Sequence, residues 1–296
     1  TAGIPIQNSA EVVNKGFELT LNWADKINDF HYNIGANLTF VDNEVTKFKG
    51  DEASYSGTTM IKEGYGINTQ YIYIADRIVQ TQADLDYVQS IVDNPKLDEE
   101  GKPINYFKNF KRPELGDVLY KDMNNNGYLD DDDRVARGHG DTPRFLFNFN
   151  LGFEYKGFDF STVLSGTGSY KVQYTHMRSS YLTFGNQISK EVADNCWHEG
   201  MTNAKYPRLM SNGDSRNTRQ STIWETDKSY FKIRNIQLGY TLPQKWLQTL
   251  SLNRVRLFCS LENFFTFTDY AGMDPETNKL TYPTMRQASF GLNVSF

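Results

Sequence analysis

Along much of the chain, apolar and polar residues alternate with a period of two. Phe17, Leu19, Leu21 and Trp23 alternate with Glu18, Thr20 and Asn22. Tyr32, Ile34, Ala36, Leu38 and Phe40 alternate with Asn33, Gly35, Asn37 and Thr39. Phe145, Phe147, Phe149, Leu151, Phe153 and Tyr155 repeat the pattern, and shorter versions occupy Phe158 to Leu164, Phe231 to Tyr240 and Val255 to Leu261. The last seven residues set Phe290, Leu292, Val294 and Phe296 against Gly291, Asn293 and Ser295. Successive strand side chains point to opposite faces, so each segment reads as a strand with one apolar and one polar face. Strands are predicted over 15–25, 30–42, 144–156, 157–168, 230–240, 253–267 and 286–296. In Phe231 to Tyr240 the apolar phase slips between Ile233 and Ile236, which predicts a β-bulge.

The connections fall into two classes. Asp25 to Asp29 and Lys156-Gly157 are tight, whereas 43–143 and 169–229 are long. A β-sandwich exposing its polar faces to water would show the same alternation. Short turns on one side and long loops on the other are the asymmetry of an outer-membrane barrel. With Phe296 placed in the periplasm, strand direction puts both tight turns and the Thr241 to Asn253 connection on the periplasmic side. Both long loops are then extracellular. Ile67 to Val79 also resembles a strand, but one extra crossing would break this alternation of direction. Residues 64–80 are therefore expected in an extracellular β element, and Ala83 to Val92 as a short helix with Leu85, Val88 and Val92 at helical spacing. Seven crossings is an odd number, and single-chain bacterial barrels have an even one. The expected fold is all-β: the C-terminal portion of a larger antiparallel transmembrane β-barrel, with Thr1 at the outer surface.

Composition agrees with this picture. Only 39% of the 296 residues are hydrophobic, and no run approaches the ~18 apolar residues of a spanning helix. Aromatic residues make up 14%, enough for girdles at two bilayer interfaces. A net charge of -5 argues against a nucleic-acid partner. Cys196 and Cys259 are far apart, so no disulfide framework is expected, and Thr1 to Ala10 lacks the features of a signal peptide.

The sharpest local motif is Asp122-Met123-Asn124-Asn125-Asn126-Gly127-Tyr128-Leu129-Asp130-Asp131-Asp132-Asp133. It fits the calcium-loop pattern D-x-N-x-N-G-x-x-D-x-x-D. Asp122, Asn124 and Asn126 supply hard oxygens at alternate positions, and Gly127 permits the sharp turn. Tyr128 would offer its carbonyl, Asp130 takes the ninth position, and Asp133 stands where an EF-hand has glutamate. The ion expected from ligand hardness is Ca2+, in a structural role. The bland alternative is an acidic, Asn-rich turn without an ion.

Catalytic signals are weak. His31, His139, His176 and His198 are scattered, and no zincin, nucleophile-elbow or P-loop motif is present. Cys196, His198 and Glu199 are merely adjacent, with Trp197 beside them as a packing anchor. Gly166 and Gly168 complete no dinucleotide fingerprint. Tyr55, Tyr65, Tyr71, Tyr73, Tyr87, Tyr106, Tyr174, Tyr181 and Trp224 lie in the long loops, where aromatic faces could stack on sugar rings or simply pack the loops together.

Several segments resemble one family. Asn14-Lys15-Gly16-Phe17-Glu18-Leu19 resembles its N-K-G-hydrophobic-E-hydrophobic element. Gly116-Asp117-Val118-Leu119-Tyr120-Lys121-Asp122 is similar to its G-D-hydrophobic-x-Y-x-D element. Asn235 to Pro243 resembles its N-hydrophobic-x-L-G-Y-x-hydrophobic-P element, and Asn263 to Glu276 its N-x-F-T-x-T-x-Y-x-G-x-D-P-E element. In order and spacing these resemble the C-terminal third of SusC/RagA-type TonB-linked outer-membrane proteins. The resemblance implies active import by a barrel of about 22 strands. It also implies an N-terminal plug and a TonB-contacting segment, neither within these residues, and a SusD/RagB-like surface lipoprotein. Oligosaccharides are the implied substrates, with peptides as the alternative, and no catalytic residues follow. The competing reading is an extracellular β-rich binding or adhesin-like protein without transport activity.

Overall fold

A computed structural model of the chain describes residues 10–49, 53–57, 59–138, 140, 142–168, 170–174, 188–210, 216–248, 252–277 and 284–296. In chain order the strands are β1 (Ala10–Ile27), β2 (Phe30–Phe48), β3 (Ser54–Ser56), β4 (Thr59–Ile61), β5 (Thr69–Tyr73), β6 (Ala75–Ile78), β7 (Val118–Tyr120) and β8 (Arg134–Arg137). They continue with β9 (Phe145–Tyr155), β10 (Phe158–Thr167), β11 (Lys171–Gln173), β12 (Glu225–Asp227), β13 (Tyr230–Thr241), β14 (Arg254–Thr268) and β15 (Gln287–Ser295). The helices are α1 (Gln82–Asp93), α2 (Lys190–Asn195) and α3 (Gln244–Leu247). The chain divides into two compact units.

One unit holds a seven-stranded antiparallel sheet in the order β1-β2-β9-β10-β13-β14-β15, built from the seven segments whose alternation predicted strands. Lys156 and Gly157 both have positive φ, at 47° and 88°, as a two-residue hairpin turn matched to strand twist requires. The predicted bulge is present. Register shifts between Ile233 and Asn235, leaving Arg234 as an extra residue relative to β10. Arg234 and Asn235 therefore both reach the polar side, where Arg234 Nε donates to Ser165 Oγ at 2.6 Å and Asn235 Nδ2 to Ser260 Oγ at 3.0 Å. Opposite the bulge on β14, Asn263 has a φ of 57°, a region that asparagine tolerates better than most residues.

Register lines the two faces up across the sheet. Asn33, Gly152, Ser161, Gln237, Ser260 and Ser289 form one polar row. Ile34, Leu151, Thr162, Ile236, Leu261 and Ala288 form a row of the other face. Thr162 brings a hydroxyl to that apolar face, and it donates to the Asn235 carbonyl at 2.8 Å. Two strands outrun their predictions: β1 starts at Ala10 and β2 runs to Phe48. Asn43 Nδ2 donates to Asn14 Oδ1 at 2.6 Å, and Lys47 pairs with Glu11 at 2.6 Å. Alongside these polar contacts the extension buries Val45 but no alternating set of apolar residues, so it carries no apolar alternation to read.

The second unit is built from the long insertions. β3-β4-β5-β8 form a four-stranded sheet, and β6 pairs with β7. The β element expected over 64–80 is thus two strands, β5 and β6, in different sheets. α1 lies where a helix was expected. Thr81 and Asp84 form its capping box, satisfying N–H groups that the first turn leaves free. Val88 is fully buried and Leu85 packs with it, but Ile91 rather than Val92 completes the buried face, and Val92 points outward. Around them Tyr73, Val79, Phe107, Leu119, Tyr120 and Leu129 make a core.

Candidate functional site

The exposed apolar face of the sheet is the largest chemical feature of its unit. Aromatic residues gather at both ends of this face. At the tight-turn end, Phe30, Tyr155, Phe158 and Tyr240 share one row, with Tyr32, Phe153 and Phe160 in the next. At the other end lie Phe40 and Phe145, then Phe147, Phe231 and Phe267. Phe147 crosses Gly166, where any Cβ would strike its ring, and stacks on Phe231 at 6.3 Å. Between them lie the row of Ile34, Leu151, Thr162, Ile236 and Leu261, which has no aromatic residue, and the row of Ala36, Phe149, Leu164, Ile233 and Phe265. From Phe30 to Phe40 is ten residues, about 33 Å of strand at ~3.3 Å each. At the tilt of roughly 40° general for membrane barrels, such a length would span about 25 Å, the height of a barrel's apolar band. Phe290 is 82% exposed and Trp23 62%. A face this broad is unsuited to water.

The polar face carries ionic contacts. Near the tight-turn end Arg256 Nε donates to Asp159 Oδ1 at 2.9 Å. The Asp274-Pro275-Glu276 segment, in the β14–β15 connection, is tied back to β13. Lys232, only 3% exposed, donates to Asp274 at 2.9 Å and to Glu276 at 2.6 Å. Arg234 and Tyr230 also bond Glu276, and Thr284 bonds Asp274. Burial alone would raise both carboxyls. Hydrogen bonds from Thr284, the Glu276 N–H and Lys232 outweigh it at Asp274, and those from Arg234, Lys232 and Tyr230 at Glu276, so both lie below the usual carboxylate range. Sequence reading recognised the D-P-E element without its partners. A lysine just before the bulge and an arginine at it, in an otherwise neutral strand, were the available signal.

In the insertion unit, Asp117 of the G-D-x-x-Y element is fully buried. It accepts from Arg208 Nε at 2.7 Å, Arg216 Nη1 at 2.9 Å, Asn217 Nδ2 at 3.0 Å and the Glu114 N–H at 3.0 Å. Gly116 sits at φ 84° with the Trp197 ring packed where a Cβ would be. Glycine and aspartate are therefore each required here, one by conformation and space, the other by charge. Trp197 is the packing anchor expected of it. Cys196 is buried, with its thiol pushed up by desolvation, and His198 is exposed, its ring Nδ1 3.2 Å from the Glu199 carbonyl. No catalytic geometry joins them. His139, His176 and Tyr181 lie outside the described residues.

The Asp122–Asp133 loop folds on its own side chains. Asp122 Oδ2 accepts from the Gly127 N–H at 2.8 Å, Asn124 Oδ1 from Asn126 at 2.9 Å, and Asn126 Oδ1 from Tyr128 at 3.0 Å. Asp130 caps the 3-10 turn Asp131–Asp133. Asp133, fully buried, accepts from the Met123 N–H at 2.7 Å and the Asp130 N–H at 2.9 Å. Its carboxyl is raised by burial, and the charge of Asp122 adds to that. Asp122 Oδ1 is buried and has no hydrogen-bond partner among the described residues, while Lys96 Nζ lies 3.7 Å from Oδ2 of the same carboxylate. Among the described residues no three His, Cys, Asp or Glu side chains converge as a metal-binding group.

Of the loop aromatics, Tyr73 and Trp224 are buried and pack the unit, whereas Tyr55 is 52% exposed and pairs with Tyr71 at 4.7 Å.

A seven-stranded antiparallel sheet with an aromatic-banded apolar face, interrupted by long insertions, defines the chain as part of a β-barrel wall. More particularly, it is homologous over 98% of its length to TonB-dependent receptors, SusC among them. It is 28% identical to TonB-dependent receptor P3 and 27% to P39, both of Formosa agariphila, and 26% to TonB-dependent receptor SusC of Bacteroides thetaiotaomicron. Coverage of this chain is 98% in each case, and of the relatives 29%, 31% and 27%. The chain thus spans about three-tenths of the length of these relatives. Solved structures of the RagAB peptide transporter, and of the RagAB peptide importer in its open-open state, superpose with TM-scores of 0.69 and 0.67 at 20% and 21% identity. They cover 98% of this chain, which covers 30% and 29% of theirs, and the shared fold is the C-terminal part of a TonB-dependent barrel. No protein-family model matches the chain.

Proposed function

We propose that this chain forms the C-terminal wall of a TonB-dependent outer-membrane importer of nutrients. The observation that carries the reading is the exposed apolar face of the sheet, with aromatic residues gathered at both of its ends. An extracellular β protein in water would have to cover that face. On this reading the apolar face meets lipid, and the polar face meets the plug and the transport path. The C-terminus is periplasmic, and 43–143 and 169–229 are extracellular. The partners are the remainder of the barrel and its plug, the TonB complex, and a SusD/RagB-like lipoprotein over the outer mouth. The cargo is an oligosaccharide or a peptide. Relatives named as TonB-dependent receptors support importer function, and the RagAB structures support the paired lipoprotein and the peptide alternative. Uptake of labelled oligosaccharides and peptides by a deletion strain, with and without the restored gene, tests this. Restored uptake of one class is expected; growth and uptake indifferent to the gene would overturn it.

The loop Asp122, Asn124, Asn126, Tyr128, Asp130 and Asp133 is proposed to hold Ca2+ as a structural clip. The buried Asp122 Oδ1, with no hydrogen-bond partner among the described residues, supports this, because an unsatisfied buried carboxylate oxygen is costly. Calcium would supply only charge and oxygen coordination there, while these side chains hold the turn. Millimolar Ca2+ should raise the unfolding temperature of the full transporter by a few degrees, and Asp122→Asn should remove the shift. No shift in the parent protein would exclude the ion.

A further inference from the structure

We propose that the cleft around Arg219 binds a carboxylate, carried by an acidic sugar or by an acidic peptide side chain. The inference rests on the importer reading and narrows its cargo. The cleft encloses about 220 Å³ within the insertion unit, lined by Phe110, Tyr120, Asn109, Lys111, Arg216 and Arg219 among others. Pockets for whole drug-sized ligands run to about 300–1,000 Å³, so this one suits a single residue of a longer chain.

Arg219 is the group without a counterpart. Its guanidinium lies 3.7 Å from the centre of the Phe110 ring and 5.8 Å from that of Tyr73. Stacking of this kind satisfies the face of the guanidinium and leaves its in-plane N–H donors unused. Arg219 Nε is buried and has no acceptor among the described residues. A folded chain normally supplies a partner to such a donor.

The neighbouring carboxylates are committed elsewhere. Asp117 accepts from Arg208, Arg216 and Asn217. Glu114 also pairs with Arg208 and Arg216. Asp131 accepts the Tyr73 hydroxyl at 2.5 Å. Lys111 adds a further cation to the lining. The walls are partly aromatic, and a forked cationic donor whose Nε has no acceptor among the described residues is held by a ring. That combination matches a planar carboxylate, which can accept two parallel N–H bonds from one guanidinium. The aromatic wall would take the apolar face of the residue bearing it.

The test uses the full transporter purified in detergent and calorimetric binding of four probes. These are a trigalacturonate, a neutral trisaccharide of the same length, a glutamate-containing pentapeptide, and the same peptide with glutamine. At least one acidic probe should bind tenfold or more tightly than its neutral counterpart, and which one does so identifies the source of the carboxylate. Arg219→Gln should abolish the preference. Lys111→Gln, at an exposed position, should reduce it severalfold, and added salt should weaken it. Equal binding of acidic and neutral probes, or a preference surviving both substitutions, would overturn the site. Uptake of neutral cargo alongside that negative result would leave the importer reading standing. Acid-selective binding without any uptake would overturn the importer reading alone.

Discussion

The sheet and the insertion unit solve opposite problems with the same residue types. In the insertion unit large apolar groups are hidden: Ile72, Val79 and Val88 are all 0% exposed, and Trp224 1%. In the sheet they are displayed, with Phe17 at 59%, Leu238 at 51% and Leu292 at 57%. Buried charges are paired in both units: the insertion unit surrounds Asp117 with arginines, and the sheet holds Lys232 against Asp274 and Glu276 on a polar face otherwise rich in Asn, Ser, Gln and Gly. The contrast teaches that hydrophobic residues mark the core in one region and the solvent boundary in the other. One rule of burial applied to the whole chain would misread half of it.

The largest effect expected is in the insertion unit. Asp117→Leu would leave Arg208 and Arg216 without their shared carboxylate. Removing one partner of a buried ion pair costs about 3–5 kcal/mol, and the partial hydration of both arginines puts the value near the lower end. Hydrogen exchange on the full transporter should show lost protection over 114–120 and 206–210, while the sheet strands keep theirs. Second, Leu151→Arg places a charge near the middle of the apolar face and should cost ~2–4 kcal/mol of stability in a bilayer. Asn150→Arg, one residue away on the polar face, should cost far less. Equal costs would erase the distinction between the faces.

A third prediction concerns acid. Asp274 and Glu276 lie in the β14–β15 connection and both titrate below their ordinary range. Their contribution to stability is therefore present in full above the unfolded-state values, near pH 4, and is lost as pH falls through the lower folded values. Protease accessibility of 269–277 should rise as pH falls below about 4, and Glu276→Gln should give the same accessibility at neutral pH. The smallest effect is at α1. Thr81→Ala removes its N-cap and should cost about 1 kcal/mol, seen as faster exchange of the first-turn amides.

What the sequence displayed follows the same division. All seven sheet strands were legible because a half-apolar strand prints its faces as a period of two, and even the Arg234 bulge appeared as a slip in that period. The further reach of β1 and β2 was hidden because Glu11–Lys47 and Asn14–Asn43 contacts have no hydropathic signature. The insertion unit was less legible for a different reason. Asp117 meets Arg208 across 91 residues, and Arg219 meets Phe110 across a similar interval, so neither pairing leaves a local pattern. The calcium-like loop was visible as spacing because its donors are contiguous. Its internal bonds, from Asp122 to Gly127 and Asn126 to Tyr128, follow that spacing directly.

The central claim is that one face of the sheet meets lipid and the other does not. Nitroxide labels placed singly at positions 149 to 153 of the full transporter in bilayers test it most directly. Oxygen, which concentrates in the membrane, should relax labels at Phe149, Leu151 and Phe153. A water-soluble nickel chelate should preferentially relax those at Asn150 and Gly152. Labels with no alternation, or all five equally open to the chelate, would contradict the account.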